Sequence, residues 1–253
     1  MSTPEITAEN KLKREFTAGK PNGKWVTDVT EFKVPQENQK LYLSAILDLY
    51  DRYPVAYVIG ARNDNRLVSE TFDKATAANP NAKPLFHSDR GFQYTGKVFQ
   101  GKLKDHEMEQ SMSRVGHCIG NEPAEGFWGI IKPEMYQMYT ITDEASLRFA
   151  ISDYIRFYSE ERPQDRCHCK TPSEVRREAF SADLPAEYPI PVNKRIQKYK
   201  KKMVYIKKRP HITGGRSSAL HFRYLTCLLD RGHTILPQPP QIVIFTPQFF
   251  NLL

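Results

Sequence analysis

The chain has 253 residues, 40% of them apolar, enough to bury a sizeable core in one large domain or two modest ones. No run approaches the ~18 apolar residues needed to cross a bilayer, and the start, MSTPEITAEN, lacks the charged-then-apolar pattern of a secretory signal. The net charge of +8 is uneven: residues 191–253 hold 12 Lys or Arg against one acid, Asp230, while residues 1–190 hold 25 basic and 28 acidic residues. The basic excess therefore lies wholly in the tail, and any affinity of the first 190 residues for nucleic acid must come from local chemistry. Four cysteines, Cys118, Cys167, Cys169 and Cys227, form neither a disulfide framework nor the paired spacing of structural zinc sites. They read as ordinary thiols, and the expected location is the cytoplasm, with no membrane partner.

Taken in chain order, residues 1–22 are polar and read as an N-terminal arm. KWVTDVTEFKV (24–34) alternates, with Val26, Asp28, Thr30, Phe32 and Val34 on one side, and predicts a strand with a carboxylate near its middle. KLYLSAILDLYDRYPVAYVIG (40–60) predicts two more strands about the turn DRYP, giving three consecutive antiparallel strands. A helix follows over 66–79, burying Leu67, Phe72 and Ala75 and stopped by NPNAKP. PLFHSD then predicts a short strand ending at Asp89, followed by a helix over about 95–106, an extended EQSMSR, and helices over 122–137 and 143–160. This order predicts an α/β fold, a mixed sheet covered by helices, whose sites gather at strand ends.

Three acids stand out. Asp89, in SDRG, is either a turn residue or a site residue at a strand end. Asp28 lies inside a strand that should be largely buried, where an unpaired charge is expensive. Glu125 lies in NEPAEGFWGIIKPE, where Asn121 can cap a helix and Pro123 suits its first turn. If the three meet, each pair at ~4 Å costs about 4 kcal/mol at an effective dielectric of 20. Divalent cations give a reason to accept that cost, because hard oxygen ligands suit magnesium or manganese, and two such ions can activate an attacking oxygen and stabilise a leaving one.

From about Asn10 to Pro172 the sequence resembles the catalytic part of bacterial insertion-sequence transposases with a retroviral-integrase-type core. The stretches that carry the resemblance are KWVTDVTEF, LFHSDRGFQY, QSMSRVG and EGFWGIIKPEMY. In that family the third acid follows the second after 35 residues, as Glu125 follows Asp89 here, and a basic residue stands seven positions further on, here Lys132. Seven residues are nearly two helical turns, so Glu125 and Lys132 share a helix face. The resemblance implies an RNase H-like five-stranded sheet in a core over 23–180. It implies catalysis and metal binding by Asp28, Asp89 and Glu125, two Mg2+ or Mn2+ ions, and DNA contacts from Lys132, Arg90, Gln93 and Arg114. The implied activity is metal-dependent DNA strand cleavage and strand transfer without a covalent enzyme intermediate.

Its implied partners are DNA, as element terminal repeats and target, and further copies of the chain on that DNA. A nucleoid-associated location follows. Tyr94, Phe127, Trp128 and Ile131 read as packing residues, and His87 either as a hydrogen-bonded histidine at the sheet or as a group near the scissile phosphate. The sequence departs from the family at Gly120, where an acid is usual, and at Glu122, where a small residue is usual. The recognition helices that precede the core in relatives are expected on a separate helix-turn-helix polypeptide, with this chain a fragment or one frame of a split transposase. The extension over 181–253 is basic, then rich in proline and acid-poor, and is expected to be disordered. Two other functions stay open at this point: an RNase H-like nuclease without joining activity, and a noncatalytic DNA-binding or inhibitory fragment.

Overall fold

The computed structural model describes residues 7–35, 39–113 and 122–190. Five strands, β1 (Lys24–Lys33), β2 (Lys40–Asp48), β3 (Pro54–Gly60), β4 (Leu85–Ser88) and β5 (Glu109–Met112), form one sheet in the order β3-β2-β1-β4-β5. The first three pair antiparallel, as the hairpin-like turns predict, and β4 and β5 continue the sheet in parallel with β1. The mixed sheet arises because the chain leaves the edge strand β3 through a crossover helix, α1 (Asn65–Ala78), and re-enters the sheet as β4 on the other side of β1.

Alternation along β1 feeds two cores. Trp25 faces Ile46, Phe72, Phe86 and Phe99, under α1, the short α2 (Phe92–Thr95) and α3 (Lys97–Asp105). Phe72 meets Phe86 and Phe99 edge-on, with ring centroids 5.5 and 5.4 Å apart. Val26 and Phe32 face the opposite core, where α4 (Glu122–Met138) contributes Phe127, Trp128, Ile131 and Met135, and α5 (Glu144–Glu160) contributes Leu147, Ile151 and Tyr154. The helix starts follow local chemistry: Asp64 accepts from the Leu67 N–H at 3.0 Å, and Asp143 forms a capping box with Ser146.

A final helix, α6 (Pro172–Ser181), was not among the expected elements. Its signal was present in TPSE, where Thr171 and Glu174 make a capping box and Pro172 occupies the first turn. The stretch read as an arm packs Leu12 and Phe16 into the α4/α5 core, and the N–H groups of Lys11 and Leu12 donate to Ser111 Oγ on β5. Cys167 is buried and Cys169 exposed, both as free thiols. Cys118, Cys227 and the extension beyond residue 190 lie outside the described residues. No described helix is long and apolar enough to cross a membrane.

Candidate active site

Strand register brings the first two acids together. β1 and β4 run parallel with Val26 opposite His87, and two residues further on stand Asp28 and Asp89. Side chains two apart on a strand share a face, so both acids lie on the face of Val26, which is the face α4 covers. Asp89 comes directly after Ser88, the last residue of β4, where the chain turns. Its Oδ1 accepts the N–H of Gly91 at 2.8 Å, and a Cβ on Gly91 would press to 3.0 Å of that oxygen and 2.7 Å of Gln93 Oε1. Glycine is thus the residue that leaves the Asp89 carboxylate in place.

Glu125 stands in the first turn of α4, where the helix dipole favours a carboxylate. The same helix reaches back to the sheet: Trp128 Nε1 donates to Asp28 Oδ2 at 2.9 Å. Burial pushes the Asp28 carboxyl up to about 6, the Trp128 and Val29 N–H groups oppose that rise, and the charges of Asp89 and Glu125 add to it. Asp28 therefore feels both of the other acids. Among the described residues no three acidic, His or Cys side chains converge tightly enough to be a ready-made metal cage. The donor set nevertheless fits a hard divalent cation: carboxylate oxygens only, from the middle of one strand, the end of its neighbour and the start of a helix.

Tyr94 underlies the site. It is buried, its hydroxyl is 3.2 Å from Thr27 Oγ1, and burial together with the charges of Asp28 and Asp89 raises the phenol well above its usual range. His87 is buried at the sheet centre with Nδ1 2.9 Å from Ser111 Oγ. The same hydroxyl oxygen receives the backbone N–H groups of Lys11 and Leu12.

Of the expected DNA contacts, Lys132 is half-buried with Nζ 5.3 Å from the Phe32 ring centroid, and burial pulls its ammonium below the usual lysine range while Glu31 and Asp28 push it back. Arg90 is exposed and anchored by Nε to the Ser113 carbonyl at 2.9 Å. Gln93 is buried, donating to Asn63 Oδ1 at 2.6 Å, and reaches DNA only by leaving that bond. Arg114, Asn121 and Gly120 lie outside the described residues. The packing reading of Phe127 and Ile131 agrees with their burial, whereas Trp128 is both a core residue and a partner of Asp28. No sequence pattern marks that bond, since its two ends are 100 residues apart.

A family described as Integrase core domain matches residues 18–118, and a second family of the same description matches residues 125–180. A transposase of insertion sequence element IS150 from Escherichia coli is 38% identical over 175 residues, covering 69% of this chain and 61% of the relative. An uncharacterised transposase-like protein of Haemophilus influenzae is 37% identical over 174 residues, covering 69% of this chain and 80% of the relative. The chain thus spans about three-fifths of the IS150 relative's length. Among solved structures, a chain of the simian T-cell lymphotropic virus intasome aligns with TM-score 0.57 and 16% identity over 76% of this chain and 66% of that one. At that identity the likeness is one of fold, and it fits the RNase H-like sheet order described above.

Proposed function

The chain belongs to the integrase core domain family, and from that premise we propose that it is the catalytic core of an insertion-sequence transposase, over about residues 23–180. It acts as a metal-dependent polynucleotidyl transferase that nicks a DNA strand and joins a 3′-end to a target. The observation that carries this reading is the parallel register of β1 and β4, which sets Asp28 beside Asp89 with Glu125 in electrostatic reach.

In this reading Asp28, Asp89 and Glu125 hold magnesium or manganese, with two ions in the working complex. Such ions supply a low-pKa attacking oxygen and charge neutralisation at the leaving oxygen. The protein's own share is placement. Asp89 is held by the Gly91 N–H at the strand end. Asp28 is fixed from the side by Trp128, and Glu125 is presented by the first turn of α4. Lys132 and Arg90 bind phosphate and set the strand's register on the site. DNA is the partner, in the form of element ends and target, and at least two copies of the chain bring two ends together. Recognition of the terminal repeats is assigned to a separate helix-turn-helix polypeptide.

The test is Mg2+- or Mn2+-dependent nicking and joining of a labelled DNA end by the purified chain, with Asp89→Asn as control. Nicking and joining that vanish in the variant support the proposal. Nicking without joining favours a nuclease, and DNA binding without either reaction, from a chain that binds metal, identifies a fragment that needs its partner. Unaltered nicking by Asp89→Asn refutes the site.

A further inference from the structure

A buried carboxylate requires hydrogen-bond donors. Asp28 accepts the Trp128 indole N–H at 2.9 Å. Trp128 is 8% exposed and packs on Phe127 with ring centroids 5.0 Å apart. It follows Glu125 by three residues on α4, a spacing that puts the two side chains on neighbouring positions of one helix surface. One residue therefore ties the strand bearing one acid to the helix turn bearing another. Trp25, the chain's other tryptophan, offers a contrast: it belongs to the opposite core and donates to Asn22 Oδ1 at 3.2 Å, an amide with no part in the site.

We infer that Trp128 is a positioning residue of the metal site: its indole N–H holds one oxygen of Asp28 and leaves the other for a divalent cation, while its ring locks the Glu125 turn against β1. The inference rests on the reading of Asp28 as a metal ligand. Carboxylate rotation about its terminal torsion is broad and soft. An oxygen already held at hydrogen-bond length has lost that freedom before an ion arrives, and partners of this kind typically change metal affinity or activity by about 10–100-fold. The competing account is that the indole is a packing body whose N–H simply takes the nearest acceptor. Phenylalanine separates the two, because it keeps most of the apolar bulk and removes the donor.

The experiment compares the full chain with Trp128→Phe, using Mn2+ as the probe and its EPR signal to count free ion. Trp128→Phe is expected to bind Mn2+ about tenfold or more weakly, with circular dichroism and metal-free affinity for a DNA end close to those of the unmodified chain. Equal Mn2+ affinity in the two proteins overturns the inference and leaves Trp128 a core residue. If Trp128→Phe does not fold, the unmodified chain supplies the second readout, since Trp128 is one of two tryptophans. Mg2+ is expected to change its emission and to leave that of Asp28→Asn unchanged; no change in the unmodified chain, or the same change in Asp28→Asn, overturns the inference. An unmodified chain that folds and binds DNA but takes up no Mn2+ sinks the metal-site reading itself, a result distinct from equal binding by both proteins.

Discussion

Two groups of acids sit along β1, one at its start and one at its middle, and the chain treats them differently. At the start of the strand, opposite Trp25, Asp48 is fully buried together with Asp51 of the β2–β3 turn. Arg176 of α6 lies between them, its Nη1 3.3 Å from Asp48 Oδ2 and 2.8 Å from Asp51 Oδ2. Backbone N–H groups of Asn22, Tyr50 and Tyr53 donate to the same two carboxyls. Burial and the Asp48 charge push Asp51 up to about 7, while Arg176 pulls it back. At the middle of β1, the half-buried Asp28 and its neighbour Asp89 stand together with an indole and a glycine N–H where the first group has a guanidinium. Acids neutralised by a resident arginine staple the fold. Acids left with neutral donors suit the proposed cation site, and that contrast separates the structural group from it.

The sharpest way to break the comparison is to remove one site carboxylate. Asp28→Asn or Asp89→Asn should each reduce metal-dependent nicking by on the order of 10²–10³-fold or more, with an unchanged circular dichroism spectrum. Arg176→Ala acts on the other group and should cost about 3–5 kcal/mol in urea unfolding at pH 7, because it removes the cation that two buried acids share. That loss should shrink at pH 5, where both acids can take up a proton.

A subtler difference lies in the stability of the site itself. The Asp28 carboxyl titrates at about 6 in the folded chain, above the unfolded value of about 3.9. The native state therefore binds the proton more tightly, and this stability is full below pH ~4 and lost as pH rises through about 6. Asp28→Asn should raise stability by about 1–3 kcal/mol at pH 7 without metal, by about half as much at pH 5 and by little below pH ~4, as thermal melts at the three pH values would record. Gly91→Ala should lower the nicking rate about tenfold, since displacement of a catalytic group by fractions of an ångström is costly, while changing stability by no more than about 1 kcal/mol. The smallest effect is expected from Lys132→Ala, which should weaken DNA binding evenly across sequences and reduce the slope of log affinity against log salt by about one.

Most of the fold was legible. Alternation in β1, the turn at DRYP and the stop at NPNAKP are local signals, and the elements they predict lie within a few residues of those observed. The helix α6 was missed although its capping box was written in TPSE, and the short α2 was merged with the surroundings of α3. At the site, the three acids were singled out from burial, spacing and resemblance. The Trp128 bond, the Asn63 partner of Gln93 and the Arg176 staple were not, because each joins residues at least 30 positions apart.

The sequence by itself determined which residues are candidates for the chemistry and which elements present them, since helix starts, strand faces and acid spacing depend on neighbours along the chain. Only the tertiary structure decided that Asp28 lies beside Asp89 and that an indole, not a guanidinium, holds Asp28 in place. It likewise decided that the sheet's other acids are matched to Arg176. The physical reason is that a buried charge is tolerated or exploited according to the groups packed against it. Strand register and helix docking choose those groups from distant parts of the chain.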